Sequence, residues 1–167
     1  MGQEIWSTIV DTFSDVPDVA TLTQMTLRLL LAATLGGILG YDREIKAKSA
    51  GVRTHMLVAV GSVLFVIGPM QSDMPIEDMS RVLQGVIQGI GFLGAGAIIV
   101  RSRAHQVEGL TTAASIWATA GIGIIVGLGL ESTAVLSTLV VLCILAVVPK
   151  FVPQVDQAKA EKEDPRS

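Results

Sequence analysis

Cysteine is almost missing from this sequence, and the single one, Cys143, lies in an apolar run. No intrachain disulfide and no cysteine-built zinc site can form, and Cys143 reads as a small buried hydrophobe. Histidine is nearly as scarce: His55 and His105 are the whole supply, and no metal-ligand spacing surrounds them. No nucleophile, base and orienting group assemble into a catalytic constellation, so neither an enzyme nor a cofactor is expected. Aromatic residues are limited to two Trp, one Tyr and four Phe, and the net charge is −3. A nucleic-acid partner is thereby excluded, because it would call for a basic face with aromatic platforms. The first 20 residues contain four acids and no Lys or Arg, which is not the pattern of a secretory signal peptide.

Apolar residues and glycine take up the space. Half of the chain is AVILMFWYC, 16 % is charged and the mean hydropathy is +0.60, a balance that points to a bilayer. The 17 glycines fit this, since Gly is commoner in membrane helices than in soluble ones. Five apolar stretches, 22–41, 52–70, 82–100, 109–130 and 132–148, each approach the roughly 17 to 25 residues that cross about 30 Å of hydrocarbon. The expected fold class is all-α, a polytopic membrane protein with five transmembrane helices. The second stretch is expected to end at Pro69 and the last at Pro149. Ten of the twelve Lys and Arg fall in residues 43–53, 101–103 and 150–166. Basic residues accumulate on the cytoplasmic side, which predicts an outer N-terminus and a cytoplasmic C-terminus. Residues 1–21 read as a periplasmic or interfacial amphipathic segment, with Ile5, Trp6, Ile9, Val10 and Phe13 near helical spacing. Residues 22–149 form the membrane domain, and the polar residues 150–167 read as a disordered cytoplasmic tail.

Gly89, Gly91 and Gly94 spell GxGxxG. A dinucleotide-binding turn requires a strand before it and a helix of about ten or more residues after it. Here the apolar run begins at Val82 and ends at Arg101, which leaves no room for that helix. Wound into a helix, the same letters sort into two faces. Gly85, Gly89, Phe92 and Gly96 form a stripe flanked by Arg81, Gln84, Gln88, Gly91 and Ala95. Val82, Leu83, Val86, Ile87, Ile90, Leu93, Ala97 and Val100 cover the opposite side. The Gly85–Gly89 pair is expected to pack against another helix backbone, with Gln84 and Gln88 facing protein as interhelical glue or lining a wet pathway. Ala32, Ala33, Gly36, Gly37 and Gly40 repeat the small-residue spacing in the first stretch, and Thr111, Thr112, Ser115 and Thr119 in the fourth. The fifth is bulky and aliphatic, and is expected to face lipid or a partner subunit.

Charges near or within the spans need partners. Arg28 lies inside the first stretch, where a charge costs about 3 kcal/mol or more at mid-bilayer. It either snorkels to the surface or pairs with Gln84, Gln88 or a backbone carbonyl. Asp42, Arg43, Glu44, Lys46, Lys48, Arg53 and His55 crowd fourteen residues. The two acids either pair with Arg53, Arg101 or Arg103, or hold a cation. His55 reads as a polar helix-end residue or as a proton-sensing group.

Four ordered segments resemble the transmembrane region of the MgtC/SapB family: GYDRE, AGVRTHMLVAVG (Ala50 to Gly61), GIGFLGAGAI (Gly89 to Ile98) and EGLTTAASIWATAGIGIIVGLG (Glu108 to Gly129). The similarity runs from about Leu22 to Val148. It implies a bacterial inner-membrane protein linked to magnesium homeostasis, with no settled molecular activity; members have been tied to restraint of the proton-driven ATP synthase. Asp42 stands where family members often carry Glu, and Thr111 where virulence-associated members carry Asn. The soluble C-terminal domain of longer members is expected to be absent.

Two functional expectations follow. In one, the protein supports ion homeostasis through a weak pathway from Asp42, Glu44 and Arg53 toward Gln84, Gln88, Thr111 and Thr112, or by controlling another ion-translocating complex. In the other, it is a purely regulatory membrane partner without transport. Arg28, Arg43 and Arg101 serve as charge partners, and Gly36, Gly40, Gly85, Gly89 and Gly96 as packing residues. Interaction with Mg2+ stays open. The bilayer, a second copy or larger homo-oligomer, and another membrane complex are the expected partners.

Overall fold

Six helices make up the computed structural model, which describes residues 1–12, 14, 18–72, 74–99 and 109–151, the side chains of residues 76 and 99 excepted. They are α1 (Gly2–Thr12), α2 (Val19–Ile45), α3 (Val52–Gln71), α4 (Ile76–Ile99), α5 (Leu110–Gly127) and α6 (Glu131–Phe151), and the described residues include no strand. Five of them, α2 to α6, are long and apolar enough to span a membrane. The short α1 buries none of its residues and leaves Ile5, Trp6, Ile9 and Val10 exposed. Phe13, Arg101, Arg103, His105 and residues 152–167 of the tail lie outside the described residues.

Local chemistry sets the helix ends. Asp18 caps α2, its carboxylate accepting the Thr21 N–H at 2.7 Å. At the other end, Lys48 N–H reaches Arg43 O and Ala47 N–H reaches Glu44 O, both at 3.0 Å, the pairing of a Schellman stop. Ala47 holds the left-handed position with φ 50°. Gly129 (φ 79°) does the same at the end of α5, where Leu130 N–H bonds Ile125 O. Helix α4 starts six residues before the apolar run. Pro75 O accepts the N–H groups of Asp78 and Met79, and Glu77 and Asp78 complement the positive end of the helix dipole. Neither proline stops its helix: Pro69 lies inside α3 and Pro149 inside α6, each helix running two residues past it.

Helix α3 is clamped between two glycine pairs. On one side a Cβ at Gly36 would lie 2.6 Å from His55 O, and one at Gly40 would lie 2.6 Å from Val52 Cα. On the other, a Cβ at Gly123 would strike Ala59 O, and one at Gly127 would lie 2.7 Å from Val66 Cβ. Without side chains at these four positions the backbones of α2, α3 and α5 come together. Leu35, Leu39, Val63, Ile67, Ile122 and Val126 fill the core between them, closed by Ala134 and Leu145 of α6. A smaller core of Ala50, Val58, Ile116 and Ala120 receives Ile90 and Ala97 of α4. Outward-facing Leu27, Leu30, Ile38, Leu57, Leu64, Leu136, Leu139 and Ile144 form the belt that a bilayer requires. Cys143 belongs to that exposed side of α6 and is not buried.

Helix α4 is turned the other way round from the sequence expectation. Among its described side chains Val86 is the buried one, and a Cβ at Gly94 would lie 3.5 Å from that of Ala113 in α5. Gln84, Gly85, Gln88, Gly89, Gly91, Phe92 and Gly96 are all exposed. The middle of the aliphatic face, Val86, Ile90 and Ala97, meets the rest of the chain, where α5 offers Ile116 and Ala120 for close packing, while Ile87 and Leu93 at its edges stay exposed.

Candidate functional site: the polar end of the bundle

The C-terminal ends of α2 and α6 and the N-terminal ends of α3 and α5 meet at one end of the bundle, here the basic end. Asp42 is its centre. One carboxylate oxygen accepts from Arg43 Nη2 at 2.6 Å and Nε at 3.1 Å, and the other pairs with Lys46 Nζ at 2.7 Å. The two cations also grip α6: Lys46 Nζ donates to Leu145 O at 2.7 Å, and Arg43 Nη2 reaches the same oxygen at 3.4 Å. Leu145 O is free to accept because the residue four positions on is Pro149, which has no N–H. A proline in the last turn of α6 thus creates the acceptor to which α2 is docked.

Glu44 does a different job. Its carboxylate accepts Val52 N–H at 2.9 Å and so caps α3, whose own N-cap, Gly51, has no side chain to offer. A Cβ on Gly51 would lie 2.6 Å from that carboxylate oxygen.

His55 is fully buried between α3 and α5. Its Nδ1 lies 2.9 Å from Gly51 O, and its Nε2 3.2 Å from Ser115 Oγ, which in turn donates to Thr112 O at 2.8 Å. Gly51 O can only accept, so Nδ1 carries the hydrogen and a neutral ring offers its lone pair at Nε2. The single Ser115 hydroxyl proton therefore has two acceptors, Nε2 and Thr112 O. Thr119 and Ser62 extend the polar interior by bonding back to the carbonyls of Ser115 and Val58 at 2.8 Å. Beyond them the core is aliphatic: Val63, Val66, Ile67, Ile122 and Val126.

The structure gathers part of the set read from sequence. Asp42, Arg43 and Glu44 are at the basic end, and Thr112 is buried beside the His55–Ser115 pair. Arg53 and Thr111 are exposed, and Gln84 and Gln88 sit on the outer face of α4. The run of residues proposed as a pathway is therefore not brought together within one chain. Asp42 pairs inside its own helix rather than with Arg53, because Lys46 one turn on is within reach. Arg28 turns away from Gln84 and Gln88; it bonds Glu131 at 3.2 Å and Gly127 O at 3.4 Å, at the end opposite Asp42. Gly36 and Gly40 meet another backbone, whereas Gly85, Gly89 and Gly96 meet nothing within 4 Å. Arg101 lies outside the described residues.

His55 and Ser115 are the pair that sequence reasoning passed over. The signal was present only in pieces, a serine at i, i+4 spacing in one segment and a histidine near a helix start, four residues after Gly51, in another. Among the described residues no three of His, Cys, Asp and Glu gather as a metal site. Both Asp42 oxygens are already taken by Arg43 and Lys46. A recess of about 500 Å³ opens sideways between α3 and α4, lined by Gly61, Phe65, Val82, Gly85, Gly89 and Leu93 among others.

The sequence profile of the MgtC family matches residues 29–153. Protein SrpB of Synechococcus elongatus is 42 % identical over 133 residues, which cover 73 % of this chain and 73 % of that protein. The putative magnesium transporter YhiD of Escherichia coli is 39 % identical over 131 residues, covering 74 % of this chain and 60 % of YhiD. Protein MgtC of Salmonella typhimurium is 35 % identical over 137 residues, covering 82 % and 58 %. The chain thus spans about three fifths of the length of the latter two relatives. No solved structure matches it.

Proposed function

Because the chain belongs to the MgtC family, we propose that it is a multi-pass protein of the bacterial inner membrane that supports magnesium-linked ion homeostasis by controlling another ion-translocating complex rather than by conducting ions. One observation carries the choice between the two. Among the described residues every buried polar side-chain atom has a hydrogen-bond partner inside the chain, and the half of the core beyond Thr119 and Ser62 is aliphatic. An ion crossing such a subunit would have to break paired groups and then enter hydrocarbon without replacement ligands. Control of a partner needs only a stable helical surface and a polar end that responds to its surroundings. The basic end, with its ten-residue spread of Asp42, Arg43, Lys46 and Gly51, is the region we assign to that response, facing the cytoplasm as the distribution of Lys and Arg favours.

The name of the Escherichia coli relative, a putative magnesium transporter, favours a second reading in which ions pass. Flux separates the two. Purified protein in proteoliposomes is expected to pass no Mg2+ or protons above empty liposomes, while a strain deleted for it grows poorly at low magnesium. Flux that appears with the wild type and disappears with Asp42→Asn would replace the first reading with the second.

A further inference from the structure

We propose that the glycine- and amide-bearing face of α4 is a homodimer interface on which a second copy of this chain packs its own α4 in parallel. Helix α4 buries Val86, with Ile90 and Ala97 against the second core, and turns Gln84 and Gln88 outward. A helix meeting lipid on that side would be oriented the opposite way, because an amide in hydrocarbon finds no water and each unpaired group is costly. Gly85, Gly89, Gly91 and Gly96 leave the backbone bare over the same arc, with no atom within 4 Å of any added Cβ. No described residue of the chain covers them.

The surface is also shaped to fit itself. Phe92, 81 % exposed, protrudes from the stripe. Next to it lies the recess of about 500 Å³ between α3 and α4, with Gly85 and Gly89 on its wall. Copies inserted in the membrane share one orientation, so a two-fold axis runs along the membrane normal and sets equal residues at equal depth. Gln88 then meets its own counterpart. An amide both donates and accepts, so glutamine pairs with glutamine without any specialised partner. Bare glycine backbones approach across the axis, and each Phe92 fills the recess of the other copy. A lipid tail would occupy the recess but leave both amides unpaired, and a different protein would have to supply matching donors that nothing on this face selects for.

Cysteine cross-linking in membranes tests the proposal, using the full chain in a Cys143→Ser background. Gln88→Cys and Gly85→Cys are expected to form disulfide dimers on oxidation, and Leu136→Cys, on the exposed side of α6, is not. In liposomes, dilution-dependent energy transfer between labelled copies should show Gln88→Leu raising the dissociation constant roughly three- to twentyfold, the range spanned by single interhelical hydrogen bonds. Leucine is a good helix former, so this variant is expected to insert and fold. The proposal is overturned if Gln88→Cys gives no dimer, if it cross-links only to another protein, if Leu136→Cys reacts equally well, or if Gln88→Leu associates as tightly as the parent.

Discussion

Replacing Asp42 by Asn removes the counter-charge of a guanidinium that has nowhere else to turn. Arg43 is 3 % exposed at its side chain and Asp42 14 %; the remaining contact of Arg43, to Leu145 O at 3.4 Å, is long. Breaking a buried pair by removing one partner costs about 3 to 5 kcal/mol, because the other charge stays desolvated. Asp42→Asn also strips Lys46 of its carboxylate, but Lys46 is part-exposed and can move toward water. We therefore expect a loss of about 3 kcal/mol, near the lower limit. Arg43→Met should cost clearly less, since Asp42 keeps Lys46 at 2.7 Å and the apolar stem still fills the space. The double variant Asp42→Asn, Arg43→Met should recover part of the first loss, as neither charge is then buried alone. Reversible unfolding in mixed micelles, followed by circular dichroism, measures all three. An Asp42→Asn cost below about 1 kcal/mol, or one no larger than that of Arg43→Met, would refute the reasoning and show that the pair behaves as a solvated surface bridge.

Three further outcomes follow from named contacts. Gly123→Ala puts a methyl against Ala59 O and Ser62 and should destabilise by about 1 to 3 kcal/mol; Gly121→Ala, two residues away with open space around it, should be neutral or stabilising by up to about 1 kcal/mol. The same unfolding assay compares them. Pro149→Ala supplies the missing N–H to Leu145 O, so the cost of Lys46→Met should shrink in the Pro149→Ala background; equal costs in both backgrounds would mean that the proline does not create the acceptor. The Thr21 N–H beside Asp18 holds its carboxyl below the usual value of 3.8. A group whose pKa is lower in the folded chain contributes stability above its unfolded pKa and loses it as pH falls through the folded value. An acid titration of stability should therefore lose slope below about pH 3.8 in Asp18→Asn relative to the parent.

Much of the architecture is legible in the sequence. Long apolar stretches can satisfy their backbone polar groups in a bilayer only by becoming helices, so α2, α3, α5 and α6 fall within a few residues of the expected bounds. The exception is the start of α4, where IEDMSR winds into helix although four of its six residues are polar, because the acids Glu77 and Asp78 complement the helix dipole, which hydropathy does not register. Gly36 and Gly40 were also readable, since only small residues let two membrane helices touch. Gly123 and Gly127 have the same spacing and were passed over among other small residues.

The polar end was readable as a place, not as a set of bonds. Asp42 with Lys46 is an i, i+4 pair that the chain itself spells out. Glu44 with Val52, Arg28 with Glu131, and His55 with Ser115 join residues 8, 103 and 60 positions apart, and no local pattern contains those separations. Likewise, the sequence divided α4 into an aliphatic and an amide-bearing face, but a helix can be rotated about its axis without changing a letter. The order of apolar stretches and the placement of Lys and Arg along the sequence determined that this chain is a helical membrane protein with most of its basic residues on one side. Tertiary structure decided which way α4 is turned, which oxygen holds Lys46 and which serine meets His55, because those choices depend on the shape and hydrogen-bonding capacity of the neighbouring helix.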